Sequence, residues 1–132
     1  DVHGISPNDV KDAPTFDEIW YEAQEMMYGT LMIAHNASFD AGVLRSCLDY
    51  YGMFKPNLNY LCSIQVAKKS WNYLPKYGLK NLAEHHQIKF KHHRAGDDAE
   101  ACAKIALLGF EKLFITRNEE IEESFKAKLK KL

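Results

Sequence analysis

Apolar residues along the chain fall into short blocks whose spacing changes from helical to continuous and back. Phe16, Ile19, Trp20, Ala23 and Met27 repeat at helical spacing, and Thr15 followed by Glu18 forms a capping box in front of them, so the pattern predicts a helix over Thr15 to Met27. Gly29 ends it. Leu31-Met32-Ile33-Ala34 is then an unbroken apolar run bounded by turn residues, the pattern of a strand buried on both faces. Val43, Leu44, Cys47, Leu48 and Tyr51 return to helical spacing, with Arg45 and Asp49 on the solvent side, until Gly52 and Pro56 close the helix. Asn59 to Ser63 reads as a second strand and Ile64 to Trp71 as a short helix. Pro75 and Gly78 punctuate the loop before Leu79-Asn81-Leu82-Ala83. Ala95 to Phe114 is the longest predicted helix. Glu119 to Leu132 is predicted as another, on the stripe Ile121, Phe125, Leu129 and Leu132 and the i,i+4 pair Glu122 and Lys126, and it could dock on its own domain or on a partner.

This alternation implies an α/β fold with parallel pairing and helices packed on the sheet. Two strands are too few to cover that many helices, since three or more are normally needed. The chain opens on Asp1 and enters through Val2-His3-Gly4-Ile5, so the expectation is a domain whose first strands lie upstream. The predicted division is residues 1–114 as the domain lacking its N-terminal strands, and 115–132 as a charged amphipathic helix.

Composition narrows the class. Of the 132 residues 46% are hydrophobic and 27% charged, the balance of a soluble globular domain rather than a disordered one. No apolar run approaches a membrane span of about 20 residues, and the first residues lack the pattern of a signal peptide, which implies a cytoplasmic protein. Cys47, Cys62 and Cys102 are odd in number and set among apolar residues, as for reduced, packed thiols rather than a disulfide framework or zinc site. The formal net charge of −1 excludes a generally basic nucleic-acid binder, but the charge is uneven. Between Gln65 and Arg94 the bases Lys68, Lys69, Lys76, Lys80, Lys89, Lys91 and Arg94 face one acid, Glu84; such a stretch either holds phosphates or is a solvated surface.

The chemistry gathers at two helix starts. Asp40 lies in the first turn after His35-Asn36-Ala37-Ser38-Phe39. Helix dipoles favour an acid there in any protein, but helical steps align Asp40 with Val43, Leu44, Cys47 and Leu48, so its carboxylate is expected to face inward. Asp98, in His93-Arg94-Ala95-Gly96-Asp97-Asp98-Ala99, aligns likewise with Cys102, Ile105, Gly109 and Leu113, whereas Asp97 aligns with Ala101, Lys104 and Leu108. A buried carboxylate needs a compensating partner or cation. Paired carboxylates at element ends suit magnesium, which prefers oxygen ligands and completes its shell with water and phosphate. Two such ions serve phosphodiester hydrolysis. A base must also take the proton of the attacking water, and His93, just ahead of Asp98, has a side chain of the right kind. His35, His85, His86 and His92 read equally well as surface or capping residues.

These ordered motifs resemble the histidine-bearing DEDD (DnaQ-like) branch of 3′-to-5′ exonucleases, which includes the bacterial DNA polymerase III epsilon proofreading subunit and ribonuclease T. The second exonuclease motif resembles residues 35–40 and the third residues 93–99, with Tyr77-Gly78-Leu79 and Leu82 between them and Val2 to Ile5 ahead of the first helix. The resemblance implies a ribonuclease H-like exonuclease fold. It also implies two magnesium or manganese ions, with Asp98 a direct ligand, Asp40 completing the carboxylate set and His93 handling the water. Phe39 would stack on a terminal base, or else pack beneath its helix, and His3, Ile5 and Asn36 would line the pocket for the last nucleotides. The expected reaction is hydrolysis from the 3′ ends of single-stranded DNA or RNA, releasing nucleoside 5′-monophosphates, with a polymerase or another replication or repair protein as partner.

One departure stands out. The family's first motif, an Asp-x-Glu on a strand, is absent from the chain. Asp98-Ala99-Glu100 has the spacing, but on a helix those acids point about 200° apart. The missing strands and loops would take about 40 to 50 residues, so this chain alone is expected to bind magnesium weakly and hydrolyse little. The alternatives are a nuclease-like module that binds nucleic acid or protein without cutting, and a metal-free interaction domain.

Overall fold

Thr15 opens the first helix as the capping pattern requires, its amide donating to Glu18 Oε2 at 2.6 Å. The computed structural model describes residues 3–91 and 93–132, which leaves Asp1, Val2 and His92 outside the described residues. Helix α1 runs Phe16–Met27, and Gly29, at φ +70°, turns the chain into strand β1, Leu31–Ala34. Helix α2, Ala37–Tyr50, carries the chain back across to β2, Asn59–Cys62. The two strands pair in parallel, from Leu31 opposite Asn59 to Ala34 opposite Cys62, the crossover arrangement expected of apolar strands separated by a helix.

Helices α3, Ser63–Ser70, α4, Leu79–His85, and α5, Ala95–Lys112, follow. One wall of α5 serves two apolar clusters. Ala101, Cys102 and Ile105 pack with Ala67, Trp71, Leu79 and Leu82, while Ala106 and Phe110 pack with Leu61, Val66, Ile121 and Phe125. Gly109 lets α5 approach α3: a Cβ there would lie 2.6 Å from Val66 Cγ1 and 3.1 Å from Ser70 Oγ. The Trp71 ring lies against His86, with centroids 4.2 Å apart.

Two expectations are corrected. The predicted terminal helix Glu119 to Leu132 is instead a short helix α6, Asn118–Ser124, followed by turns and by strand β3, Lys130–Lys131. Ile121 and Phe125 still bury as their spacing required. Beyond them the unsatisfied backbone of β2 competes with the helix: β3 pairs antiparallel with it, Lys130 opposite Tyr60. The Leu132 amide donates to the Leu58 carbonyl at 3.0 Å, and Arg45 donates to the Lys131 carbonyl at 3.2 Å. The second correction concerns β1. Among the described residues the sheet order is β1-β2-β3, which leaves β1 at an edge of these three strands, and its four residues are half-buried rather than fully covered. Beside it runs an apolar groove of about 460 Å³, walled by Met32, Ala34, Val43, Leu44, Cys47 and Leu58 among others.

Among the described residues no helix is long and apolar enough to cross a membrane. The thiols of Cys47, Cys62 and Cys102 are free, Cys102 buried and the other two half-buried.

Candidate active site

At the end of β1 the chain turns through Asn36, whose backbone is left-handed at φ 61° and ψ 45°. Asparagine tolerates that region better than other non-glycine residues. The Asn36 carbonyl accepts the Phe39 amide at 2.9 Å, so α2 starts tightly and Asp40 falls in its first turn. The inward facing expected of Asp40 is not what the structure shows. Ala37, Ala41 and Leu48 form the buried line of α2; Asp40 is exposed and shares the wall of the groove with Val43, Leu44 and Cys47. The stripe exists, but it borders an open groove beside an edge strand instead of a closed core.

Asp98 is half-buried in the first turn of α5, its amide donating to the Arg94 carbonyl at 2.9 Å. Cys102, Ile105 and Gly109 below it are buried as expected. Asp97 turns aside to Arg94, 3.7 Å from Nε. His93 sits in the turn ahead of α5, exposed and at φ 70°.

Between the two helix starts lies a histidine that reads from the sequence as an ordinary surface one. His35 is half-buried, and its Nδ1 lies 2.7 Å from the hydroxyl of Ser63, which is fully buried at the start of α3. Burial holds the imidazole below its usual range. The Tyr77 carbonyl and then the carboxylates of Asp40 and Asp98 oppose that effect. Asp40 and Asp98, from helices remote in sequence, therefore act on one ring. Cys102 belongs to the same neighbourhood: burial pushes its thiol up, a hydrogen bond with Ser63 opposes this, and Cys62 and Asp40 add to the rise. The available signal for His35 was its place as the polar residue ending an apolar strand run.

The other expected positions are more dispersed. Phe39 is 68% exposed, which corrects core packing as its alternative, and it lines both the groove and a shallower hollow on the outer face of α2. His3 and Ile5 lie on the exposed segment before α1, where His3 Nδ1 accepts the Ile5 amide at 3.0 Å. Neither hollow lined by Phe39 includes them. The bases from Lys68 to Arg94 are exposed, though Lys69 is engaged, donating to the Ser124 carbonyl at 2.7 Å over the Phe125 ring. Among the described residues no three acidic, histidine or cysteine side chains are grouped closely enough to hold an ion. Two carboxylates with water and phosphate nevertheless fit the way magnesium is commonly bound.

The profile of the exonuclease family matches residues 1–106, which takes in both helix starts and the segment between them. The chain belongs to the exonuclease family. In this exonuclease domain the mixed α/β build is that of a ribonuclease H-like fold, and by family the domain is a nuclease. It is similar to DNA polymerase III PolC-type of Caldanaerobacter subterraneus subsp. tengcongensis, 35% identical over 111 residues, which cover 83% of this chain and 8% of the relative. The PolC-type polymerase of Clostridium perfringens is 32% identical over 114 residues, covering 86% of this chain and 8% of the relative. That of Lactococcus lactis is 29% identical over 119 residues, covering 89% and 7%. The exonuclease chain thus spans less than a tenth of the length of these relatives. No solved structure matches it.

Proposed function

We propose that the chain carries part of the active site of a 3′-to-5′ exonuclease that removes nucleotides from DNA ends made by a polymerase, RNA ends being the other substrate its chemistry admits. The observation that supports this reading most is the match of the exonuclease profile over residues 1–106, which takes in the helix starts that carry Asp40 and Asp98. Asp98 and Asp40 would hold the divalent cation. Magnesium or manganese, two ions in the complete reaction, supplies when bound the positive charge that offsets the charge of the transition state.

The chain's own residues do the rest. His93, on its left-handed turn ahead of α5, would take the proton of the attacking water on an imidazole nitrogen. Phe39 presents an exposed ring on which a terminal base stacks, an interaction worth about 1 to 3 kcal/mol and tolerant of sequence. Asn36 fixes the corner between β1 and α2, and His3 and Ile5 would close on the final nucleotides only through movement of the segment before α1. With these two carboxylates alone, the chain by itself would bind magnesium weakly and turn over slowly.

The test is Asp98→Ala in the full-length protein, scored by release of nucleoside 5′-monophosphates from a 3′-labelled strand. Release should fall by about 100- to 1000-fold, the usual cost of removing one preorganised charged group, while strand binding is retained. Unchanged release would overturn the reading. A second reading, a nuclease-like module that binds strands without cutting, draws on the exposed Phe39 and lysines; it predicts no release from the unsubstituted protein either.

A further inference from the structure

The parallel ladder between β1 and β2 ends at Ala34 opposite Cys62. The next residue on each strand is His35 and Ser63, and there a side-chain bond of 2.7 Å continues the register by one rung. His35 is thereby fixed at the point where the chain leaves the sheet for Asn36 and α2. Ser63 is 0% exposed, so the pair is no hydrolytic dyad: no substrate reaches the hydroxyl. The second ring nitrogen, Nε2, is buried as well, and the Tyr77 carbonyl acts on the same ring. A phenylalanine or leucine would fill the same space without taking two polar ring atoms out of water, and burying polar groups is costly enough to need a reason.

We propose that His35 is a positioning residue of this site, pinned by Ser63 so that the corner it occupies presents Asp40 toward Asp98. The inference rests on the nuclease reading above and assigns to that site a residue which touches neither substrate nor reacting atoms. Groups that orient metal-binding side chains typically change metal affinity by about 10- to 100-fold when removed.

Manganese binding to the full chain, followed through the spectrum of the free ion, tests this without requiring turnover. His35→Phe keeps the ring and removes the bond; His35→Asn restores a polar atom near the position of Nδ1. The expected result is that His35→Phe weakens manganese binding by about 10-fold or more while the metal-free chain still unfolds in one cooperative transition. His35→Asn should return binding close to the original. If His35→Phe does not fold, Ser63→Ala, which keeps the imidazole and deletes its anchor, is read by the same criterion. Should Asp98→Ala abolish manganese binding while His35→Phe or Ser63→Ala binds as the original does, the positioning role is overturned and the site stands. Should the unsubstituted chain take up no manganese, or Asp98→Ala bind it equally well, the site itself is overturned and the inference with it.

Discussion

Gly109 is the residue at which helix propensity and packing disagree most plainly. Alanine in a helix interior is favoured over glycine by about 1 kcal/mol. An added Cβ would, however, sit 2.6 Å from a methyl of Val66, a fully buried side chain whose branching leaves it few rotamers. Overpacking of that kind costs about 1 to 3 kcal/mol. Gly109→Ala should therefore lose up to about 2 kcal/mol net, measured as a lower urea midpoint; a raised midpoint would show that α3 can yield. The same contrast explains what was legible at this scale. Asp98 was readable because a stripe of small and apolar residues continues below it. Asp40 was readable as a helix-start acid but not as an exposed one, because the groove beside β1 leaves no mark on the helical count. His35 was readable as the first residue of the second exonuclease motif but not as a buried one, since its burial depends on Ser63 and Tyr77, which join it only in the folded chain.

Among the elements, the corner between β1 and α2 carries the most consequence per residue. Asn36 holds a left-handed backbone that costs a β-branched residue about 1 to 2 kcal/mol. Asn36→Val should lower stability by about that amount, whereas Asn36→Gly should stay close to the original; thermal unfolding of the pair compares them, and equal loss in both would point to the side chain instead of the backbone. Periodicity revealed nearly every helix because each buries a stripe with its own spacing. It failed at the C-terminus for a physical reason. Ile121, Phe125 and Leu129 satisfy a helical count, yet the backbone of β2 offers Lys130 and Lys131 better partners than another helical turn does. Local spacing carries no record of a strand edge some seventy residues away in the chain, a separation of about 70 between Tyr60 and Lys130. The half-buried state of β1 was hidden likewise, because an unbroken apolar run looks the same on an edge and in the middle of a sheet.

For the molecule as a whole, two histidines set the response to acid. His35 and His86 are both held below the ordinary imidazole range, chiefly by burial, with the neighbouring His85 adding to the effect at His86. Unfolded, each would titrate near its ordinary value of about 6.5. Above that value both states are neutral and these groups cost nothing. As pH falls below it the unfolded chain takes up protons that the folded one resists, so stability declines until the folded-state pKa is passed. The melting temperature should therefore drop between about pH 7.5 and pH 5. A flat profile over that interval would contradict the buried settings of both rings, and His86→Phe should flatten part of it. The contact of Trp71 with His86 also makes the protein its own optical indicator. A protonated imidazole quenches indole emission, so light from Trp71 should dim as His86 takes up its proton, while the chain is still folded. With Trp20 replaced by Phe, that dimming would give the imidazole's titration directly, on a sample carrying no label.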